Sequence, residues 1–251
     1  MTGTLINVAA ILIGGGLGLL FGNRLPARLK STVIAGMGLF VAVTGIKMFL
    51  ETQNSLVVLG SLVIGGLLGE WWKIEDGLQR LGEMLEKRFS RPESESGRVA
   101  PYGDFVRGFM TASLLFCIGP IAILGSIQAG LSGDINLLVI KSVLDGFAAM
   151  AFASSLGVGV LFSAGMILIY QGGITLLAAQ LNSVVTKPMM AELTATGGVL
   201  LLGIAISSLL EIKKIRVGNF LPALVMAPLI VWIVPLIAGI FPLIAGIFSR
   251  F

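Results

Sequence analysis

The stretch INLLVIKSVLDGFAAMAFASSL, residues Ile135–Leu156, decides the fold class. A helix rising about 1.5 Å per residue needs about 20 apolar residues to cross a hydrocarbon core of roughly 30 Å, and this stretch is long enough. Lys141 and Asp145 lie near its middle, and their spacing of four places them on one helical face. A charge at that depth costs at least roughly 2.5 kcal/mol by insertion scales. The pair therefore either pins a helix inside a bundle or forms the centre of a transport pathway.

The composition is that of a polytopic membrane protein. The chain has 251 residues, of which 56% are hydrophobic and only 12% are charged, whereas soluble domains are about 25% charged. We predict a single membrane domain over residues 1–251, with the lipid bilayer as its main partner. The net charge of +4 belongs to loops, so we expect no nucleic-acid partner. Because the chain has no histidine and one cysteine, Cys117, we expect no metal, no cofactor and no enzymatic activity.

Eight apolar segments have the length of a membrane span, and they predict an all-α integral membrane protein. Seven spans remain an alternative if the fifth or the eighth segment is re-entrant. Residues 71–104 differ from the rest, because an amphipathic surface helix at Ile74–Phe89 is followed there by a polar linker at 91–102. The predicted spans are Leu5–Gly22, Thr32–Leu50, Ser55–Glu70, Phe105–Gln128, Ile135–Leu156, Gly157–Leu181, Thr194–Leu210 and Gly218–Phe241.

The basic residues predict the orientation. The loops after predicted spans 1, 3 and 7 carry three, seven and three Lys or Arg, whereas those after spans 2, 4 and 6 carry none, none and one. Basic loops stay in the cytoplasm, so eight spans with both termini outside place every strongly basic loop on the correct side. The long polar segment between spans 3 and 4 is then cytoplasmic.

A weak internal repeat relates the two halves of the chain. Gly38–Glu51 aligns without gaps on Gly198–Glu211, with four identities in fourteen positions. The basic loops of the two halves lie at opposite ends of the corresponding spans, so the halves are predicted to have inverted topology. The repeats are residues 5–70 and 157–241, with 105–156 between them. Inverted repeats are typical of secondary transporters, whose sites lie near the membrane midplane at discontinuous helices. A second, literal duplication is PLIAGIF at 235–241 and 242–248.

Two segments have the composition of helix breaks. Pro120, after Gly119, lacks an N–H and would free a backbone carbonyl in mid-span. The motif YQGG at 170–173 sets polar side chains beside two glycines, where the backbone could unwind. Ordinary packing is the alternative for each, because Pro kinks and Gly contacts are common in membrane helices. The residues predicted to bind a solute or ion are Lys141, Asp145, Gly119, Pro120, Tyr170, Gln171 and Gly172.

Four segments also carry a resemblance to a known family. They are TASLLFCIGPIAILGSIQAGLSGD (111–134), KSVLDGFAAMAFASSLGVGVLFSA (141–164), YQGGITLLA (170–178) and VGNFLPALVMAP (217–228). These segments resemble the YdfK/YqgA-like bacterial membrane proteins, a domain-of-unknown-function family. The resemblance covers most of the chain and implies a bacterial inner-membrane location, but it implies no particular activity.

The function predicted from these observations is a secondary transporter, or permease, for an unknown small solute or ion. Asp145 would take up the coupling proton or cation, and Lys141 would neutralise it. Backbone groups at Gly119–Pro120 and Tyr170–Gly173 would frame the solute. A passive channel and a membrane scaffold acting through Ile74–Phe89 are the alternatives. A homo-oligomer is compatible with the same pattern.

Overall fold

The computed structural model describes residues 1–22, 26–89, 104–182 and 185–240, and every regular element in these ranges is helical. The predicted linker at 91–102 lies outside them, as does the whole of the second PLIAGIF unit. The helices are α1 (Thr2–Gly22), α2 (Ala27–Phe49), α3 (Ser55–Trp72), α4 (Ile74–Phe89), α5 (Asp104–Ile118), α6 (Pro120–Ser132), α7 (Asn136–Leu156), α8 (Gly159–Leu176), α9 (Ala178–Asn182), α10 (Lys187–Ile204) and α11 (Ala223–Ile240), with a π turn at Ala205–Leu209 and a 3₁₀ turn at Val217–Phe220.

The prediction of an all-α membrane protein with seven or eight spans is confirmed. Among the described residues, seven helices are long and apolar enough to cross a membrane, and the bent pair α5–α6 makes an eighth if it forms one span. Helices suit this environment because each satisfies its own backbone hydrogen bonds where no water is available. The short helix α4 does not belong to this set.

The distribution of side chains is that of a protein surrounded by lipid. Large apolar side chains point outward, as in Leu20, Phe40 and Ile169, which are 68%, 69% and 74% exposed. The interior holds many small and polar residues, including the fully buried Asn7 and Gln171. Small residues allow helices to approach closely in a membrane, where apolar surface gains little from burial.

A seam of glycines joins α1 to α7. Gly14, Gly18 and Gly22 of α1 pack so closely on α7 that a Cβ at any of them would overlap an α7 carbonyl oxygen. The facing carbonyls belong to Gly146, Met150 and Ser154. Because the residue numbers rise together in steps of four, the two helices run parallel. This interface is the most extensive in the bundle.

The remaining major interfaces have defined directions too. Residue numbers run in opposite senses along α2 and α10, along α3 and α11, and along α1 and α8, so these pairs are antiparallel. Numbers rise together along α8 and the α5–α6 pair, so these are parallel. The contacts that give these directions are Gly45 with Gly198 and Gly38 with Leu209; Gly65 with Ala223 and Gly69 with Asn219; Gly15 with Leu161 and Gly172 with Met1; and Gly159 with Phe105 and Gly130 with Thr175.

The start of helix α10 corrects a predicted boundary. It begins at Lys187 and not at Thr194, so the predicted loop at 182–193 is wrong over most of its length. The side chain of Thr186 caps the helix by accepting a hydrogen bond from the backbone N–H of Met189 at 3.4 Å. Pro188 lies in the first turn, where its missing N–H removes no helical hydrogen bond. At its other end α10 passes into the π turn Ala205–Leu209.

Candidate solute site

Lys141 and Asp145 form an ion pair on α7, as their spacing predicts. Both are buried: Lys141, in the first half of the helix, is 5% exposed, and Asp145, near its middle, is 8% exposed. The ring of Phe116, near the end of α5, lies below the ammonium with its centroid 6.0 Å from Nζ. The pair is therefore enclosed by protein and is held on one side by an aromatic face.

Asn7 of α1 connects this pair to a third helix. Its Nδ2 donates to Asp145 Oδ2 at 2.9 Å and to Gln171 Oε1 of α8 at 3.0 Å. The parallel packing of α1 on α7 brings Asn7 to the depth of the pair. The result is a buried chain of four polar side chains, Lys141–Asp145–Asn7–Gln171, which we call the polar chain. It joins three predicted site residues, Lys141, Asp145 and the distant Gln171, and it adds Asn7, which the sequence did not indicate.

The amide orientations in the polar chain follow from Asp145. An ionised carboxylate only accepts hydrogen bonds, so Asn7 must present its NH₂ group to Asp145 and to Gln171 Oε1. Asn7 Oδ1 and Gln171 Nε2 then point away from these bonds. Within the described parts of the chain, both atoms are buried without a hydrogen-bond partner, and the hydroxyl of Thr4 is buried and unpartnered too.

Gly172 of the YQGG motif serves close packing, and neither of the two glycines unwinds the helix. Helix α8 continues unbroken through residues 170–173 to Leu176, so the predicted break there is wrong, and the helix is interrupted only at Leu177. Gly172 is buried against the start of α1, where a Cβ would lie 3.3 Å from Met1 Cε and 4.0 Å from Thr4 Cγ2. Tyr170 is half-buried and is not part of the polar chain.

The predicted break at Gly119–Pro120 is present. Helix α5 ends at Ile118, Gly119 is extended with φ −68° and ψ 139°, and α6 starts at Pro120 with the two helix axes bent by 60°. Pro120 cannot donate the hydrogen bond that would continue α5. Phe116 brings this region against the polar chain, whose hydrogen bonds involve neither Gly119 nor Pro120.

A further buried carboxylate, two residues before the predicted start of a span at Thr194, lies inside α10. Glu192 is 2% exposed. It accepts hydrogen bonds from Thr52 Oγ1 at 2.7 Å and from the backbone N–H groups of Gln53 and Asn54 at 2.8 and 2.9 Å. These donors occupy the turn between α2 and α3, so Glu192 fixes that turn to α10. Its oxygens are satisfied by this structural role.

The basic end of the bundle, which carries Lys30, Arg107 and Lys214, contains two cavities. A cavity of about 680 Å³ lies between α4, α5 and the turn after α10, and one of about 350 Å³ lies between α2, α7 and the same turn. Arg107 forms an ion pair with Glu211, and both residues line both cavities. Arg107 Nε also donates to the Ser208 carbonyl at 2.8 Å, an oxygen of the π turn.

Helix α4 is tied to this end by Glu75. Its carboxylate accepts from the backbone N–H of Gly218 at 2.6 Å, and its own N–H donates to Asn219 Oδ1 at 2.7 Å. Burial raises the pKa of Glu75 above its usual value, and the hydrogen bond from Gly218 offsets part of that rise. Helix α4 thus packs against the start of the last span through a partly desolvated carboxylate.

Comparison with known proteins agrees with this architecture. Residues 2–232 match the family described as "Protein of unknown function (DUF554)". The chain belongs to this family. It is 30% identical over 238 residues to "Uncharacterized membrane protein YdfK" of Bacillus subtilis (strain 168), covering 93% of this chain and 97% of the relative. It is 33% identical over 225 residues to "Uncharacterized protein YqgA" of Escherichia coli (strain K12), covering 90% and 94%. No solved structure matches this DUF554 protein.

Proposed function

We propose that this protein is a secondary transporter for a small solute in the bacterial inner membrane. Asp145 exchanges a coupling proton or cation during the cycle, and Lys141 neutralises the carboxylate between exchanges. The observation that carries the proposal is the polar chain, a buried and charged network shared by α1, α7 and α8 of a membrane domain. An ionisable group inside a membrane is costly, so a functional role is the default hypothesis for it.

The polar chain contains more than a structural pair requires. Two opposite charges on one helix neutralise each other without help from other helices. Here Asp145 also accepts from Asn7, which in turn binds Gln171, and this amide pair ends in unpartnered atoms. Buried polar groups in folded proteins are nearly always satisfied, so orphaned atoms in a charged network support a binding site.

The direction of α7 supports eight spans. Helices α1, α2 and α3 are three crossings, and α4 is not a span. If the bent pair α5–α6 crosses the membrane once, α7 enters from the same side as α1 and runs parallel to it. If the pair turned back, α7 would run antiparallel to α1. The glycine seam makes α1 and α7 parallel, so we count α5–α6 as one broken span and α11 as the eighth.

The helix pairings also support an inverted repeat of residues 5–70 and 157–241. A two-fold axis in the membrane plane would exchange span 1 with 6, 2 with 7, and 3 with 8, and would make each pair antiparallel. The interfaces of α1 with α8, α2 with α10 and α3 with α11 have that direction. The same axis would exchange α7 with the α5–α6 pair, in agreement with the parallel packing of α1 on α7 and of α8 on α5–α6. Transporters commonly combine this symmetry with a broken helix beside the site.

The charge distribution supports a cytoplasmic location for the basic end. The two cavities open there, and the larger one reaches Thr111 and Leu114 on α5. Leu114 lies two residues before Phe116 on the same helix, and the ring of Phe116 lies against Lys141. We infer that this cavity is the cytoplasmic entrance toward the polar chain, with Arg107 and Glu211 at its mouth.

A flux experiment on purified protein tests the proposal. Parent, Asp145→Asn/Lys141→Met and the control Glu51→Gln, an exposed carboxylate at the end of α2, are reconstituted in liposomes that contain a pH-sensitive dye. Proton movement is recorded after addition of amino acids, small amides, small anions and inorganic cations.

We expect solute-driven proton movement in the parent and the control. The double variant should match the parent in thermal stability and show no such movement, because neither Asn nor Met carries a charge. Full movement in a stable double variant would reduce Asp145 to a structural role. Absence of movement in the parent with every member of the panel would contradict transport coupled to protons.

A further inference from the structure

The unpartnered atoms of the polar chain lie where α1 packs on α8. Asn7 Oδ1 and Gln171 Nε2 each share a carbon with an atom of the Asn7–Gln171 hydrogen bond, so both lie beside that bond. The unpartnered hydroxyl of Thr4 lies one helical turn from Asn7 on α1, and Thr4 is next to Gly172, the neighbour of Gln171. All three polar side chains are 0% exposed. We call the volume that they border the amide pocket.

The charge of the surrounding network selects against ions. Lys141 and Asp145 neutralise each other, so the amide pocket adjoins a network of zero net charge. A permanently charged solute would carry an uncompensated charge into a membrane-embedded site, which is costly without a counter-charge. An uncharged solute avoids that cost.

The unpartnered hydrogen-bond donors and acceptors of the amide pocket also favour an uncharged solute. A cation site needs acceptors, yet Gln171 Nε2 offers only N–H donors. An anion site needs donors, yet Asn7 Oδ1 offers only lone pairs. Rotating the Gln171 amide would turn its NH₂ toward the NH₂ of Asn7, and the bond between them would be lost. The set therefore fits a group that carries both a donor and an acceptor, and the Thr4 hydroxyl can complete either role.

We infer that the amide pocket binds a small, uncharged solute with both a hydrogen-bond donor and an acceptor, and that a primary carboxamide is its best match. The carboxamide oxygen would accept from Gln171 Nε2, and its NH₂ group would donate to Asn7 Oδ1. The inference rests on the proposed transport function, for which it names the class of solute. A methyl group on Gly172 would lie 3.3 Å from Met1 Cε and 4.0 Å from Thr4 Cγ2, so Gly172→Ala would crowd this side of the pocket.

Thermal unfolding of the purified full-length protein tests the inference. Acetamide, sodium acetate and methylammonium chloride are three probes of nearly equal size that differ in charge. They are added at equal concentrations and fixed ionic strength. Acetamide should raise Tm in a concentration-dependent manner, since a ligand that binds only the folded state stabilises it by mass action. The two ions should produce no shift beyond that of sodium chloride.

Thr4→Val supplies the site-specific variant. It removes a hydroxyl that has no partner among the described residues, so the variant should fold as well as the parent. Thr196→Val is the matched control, because Thr196 on α10 is also fully buried and its hydroxyl is also unpartnered. We expect acetamide to bind Thr4→Val and Gly172→Ala at least tenfold more weakly than the parent, and to bind Thr196→Val unchanged.

Any result other than these would count against the inference. Equal stabilisation of Thr4→Val and the parent would remove acetamide from the amide pocket. A larger shift with acetate or methylammonium would replace the uncharged class by an ionic one. No shift with acetamide would show that the pocket holds no carboxamide. If acetamide binds but no solute drives proton movement, the carboxamide pocket is supported and the transport function is contradicted. If only charged solutes drive proton movement, the transport function is supported and the carboxamide pocket is contradicted.

Discussion

Lys141–Asp145 and Arg107–Glu211 join the same kinds of groups, a cationic side chain and a carboxylate, in two different surroundings. The side chains of the first pair are 6% and 12% exposed, and those of the second are 26% and 63% exposed. Water can replace a lost partner at the second pair and cannot do so at the first. Contacts at the basic end can therefore open and close at small cost, while the buried pair changes only when a proton, an ion or a solute compensates it.

The largest effect should follow from breaking the buried pair. Asp145→Asn leaves the Lys141 ammonium buried and unpaired, and we expect a loss of about 3–5 kcal/mol in the free energy of unfolding. Adding Lys141→Met should recover most of that loss, because the pair is then replaced by uncharged groups. Denaturation of the three proteins in one detergent measures both values. A single variant as stable as the parent would mean that Lys141 finds another partner or loses its proton.

A smaller effect should follow from removing the amide that joins the buried pair to α8. Asn7→Leu takes a donor from Asp145 and leaves Gln171 Oε1 unpaired, and it should cost about 1–3 kcal/mol. Thr4→Val, one turn away on the same helix, should cost almost nothing. Unfolding measured side by side separates the network from general packing of α1. Equal losses in the two variants would argue that Asn7 acts only by filling space.

The exposed pair should respond least to the loss of its carboxylate. Glu211→Gln should cost less than about 1 kcal/mol, and the difference from the parent should shrink in 1 M salt. Arg107→Gln should cost more than Glu211→Gln, because it also removes the donor to the Ser208 carbonyl. The measurement is unfolding at low and high salt. If Glu211→Gln lowered the free energy of unfolding as much as Asp145→Asn does, the two ion pairs would not differ as proposed.

The partly buried Glu75 should make the stability of the protein depend on pH. Burial raises its pKa above 4.5, so its protonated form is favoured in the folded protein. The resulting stability is present below pH about 4.5 and is lost as the pH rises through the raised folded pKa. Glu75→Gln cannot ionise, so we expect a smaller decline in Tm than the parent shows between pH 4 and pH 7. A parallel decline in both proteins would show that other groups cause it.

The local parts of this architecture could be predicted from the sequence. Lys141 and Asp145 share a face because a spacing of four guarantees it in any helix. The break at Gly119–Pro120 follows from the missing N–H of proline. Both inferences use only neighbouring residues, so neither depends on how the helices are arranged.

The parts that depend on helix packing could not be predicted. Asn7 lies in an otherwise apolar segment, and its partner is 138 positions away in the chain. A glycine pair indicates either an unwound backbone or a close contact, and the close contact of Gly172 depends on the position of α1, which the sequence does not give. Glu192 precedes the predicted start of its span at Thr194, whereas in the structure the Thr186 cap starts the helix at Lys187.

The glycine seam between α1 and α7 has a consequence for biosynthesis. The two sides of the seam are about 130 residues apart in the chain. At about 5–20 residues per second, α1 leaves the ribosome on the order of ten seconds before α7 is complete. During that interval the flat face of α1 and the amide of Asn7 meet lipid or an insertion factor in place of their final partner. Slowed translation between the two helices would prolong this exposure, and early degradation of nascent chains would rise with it.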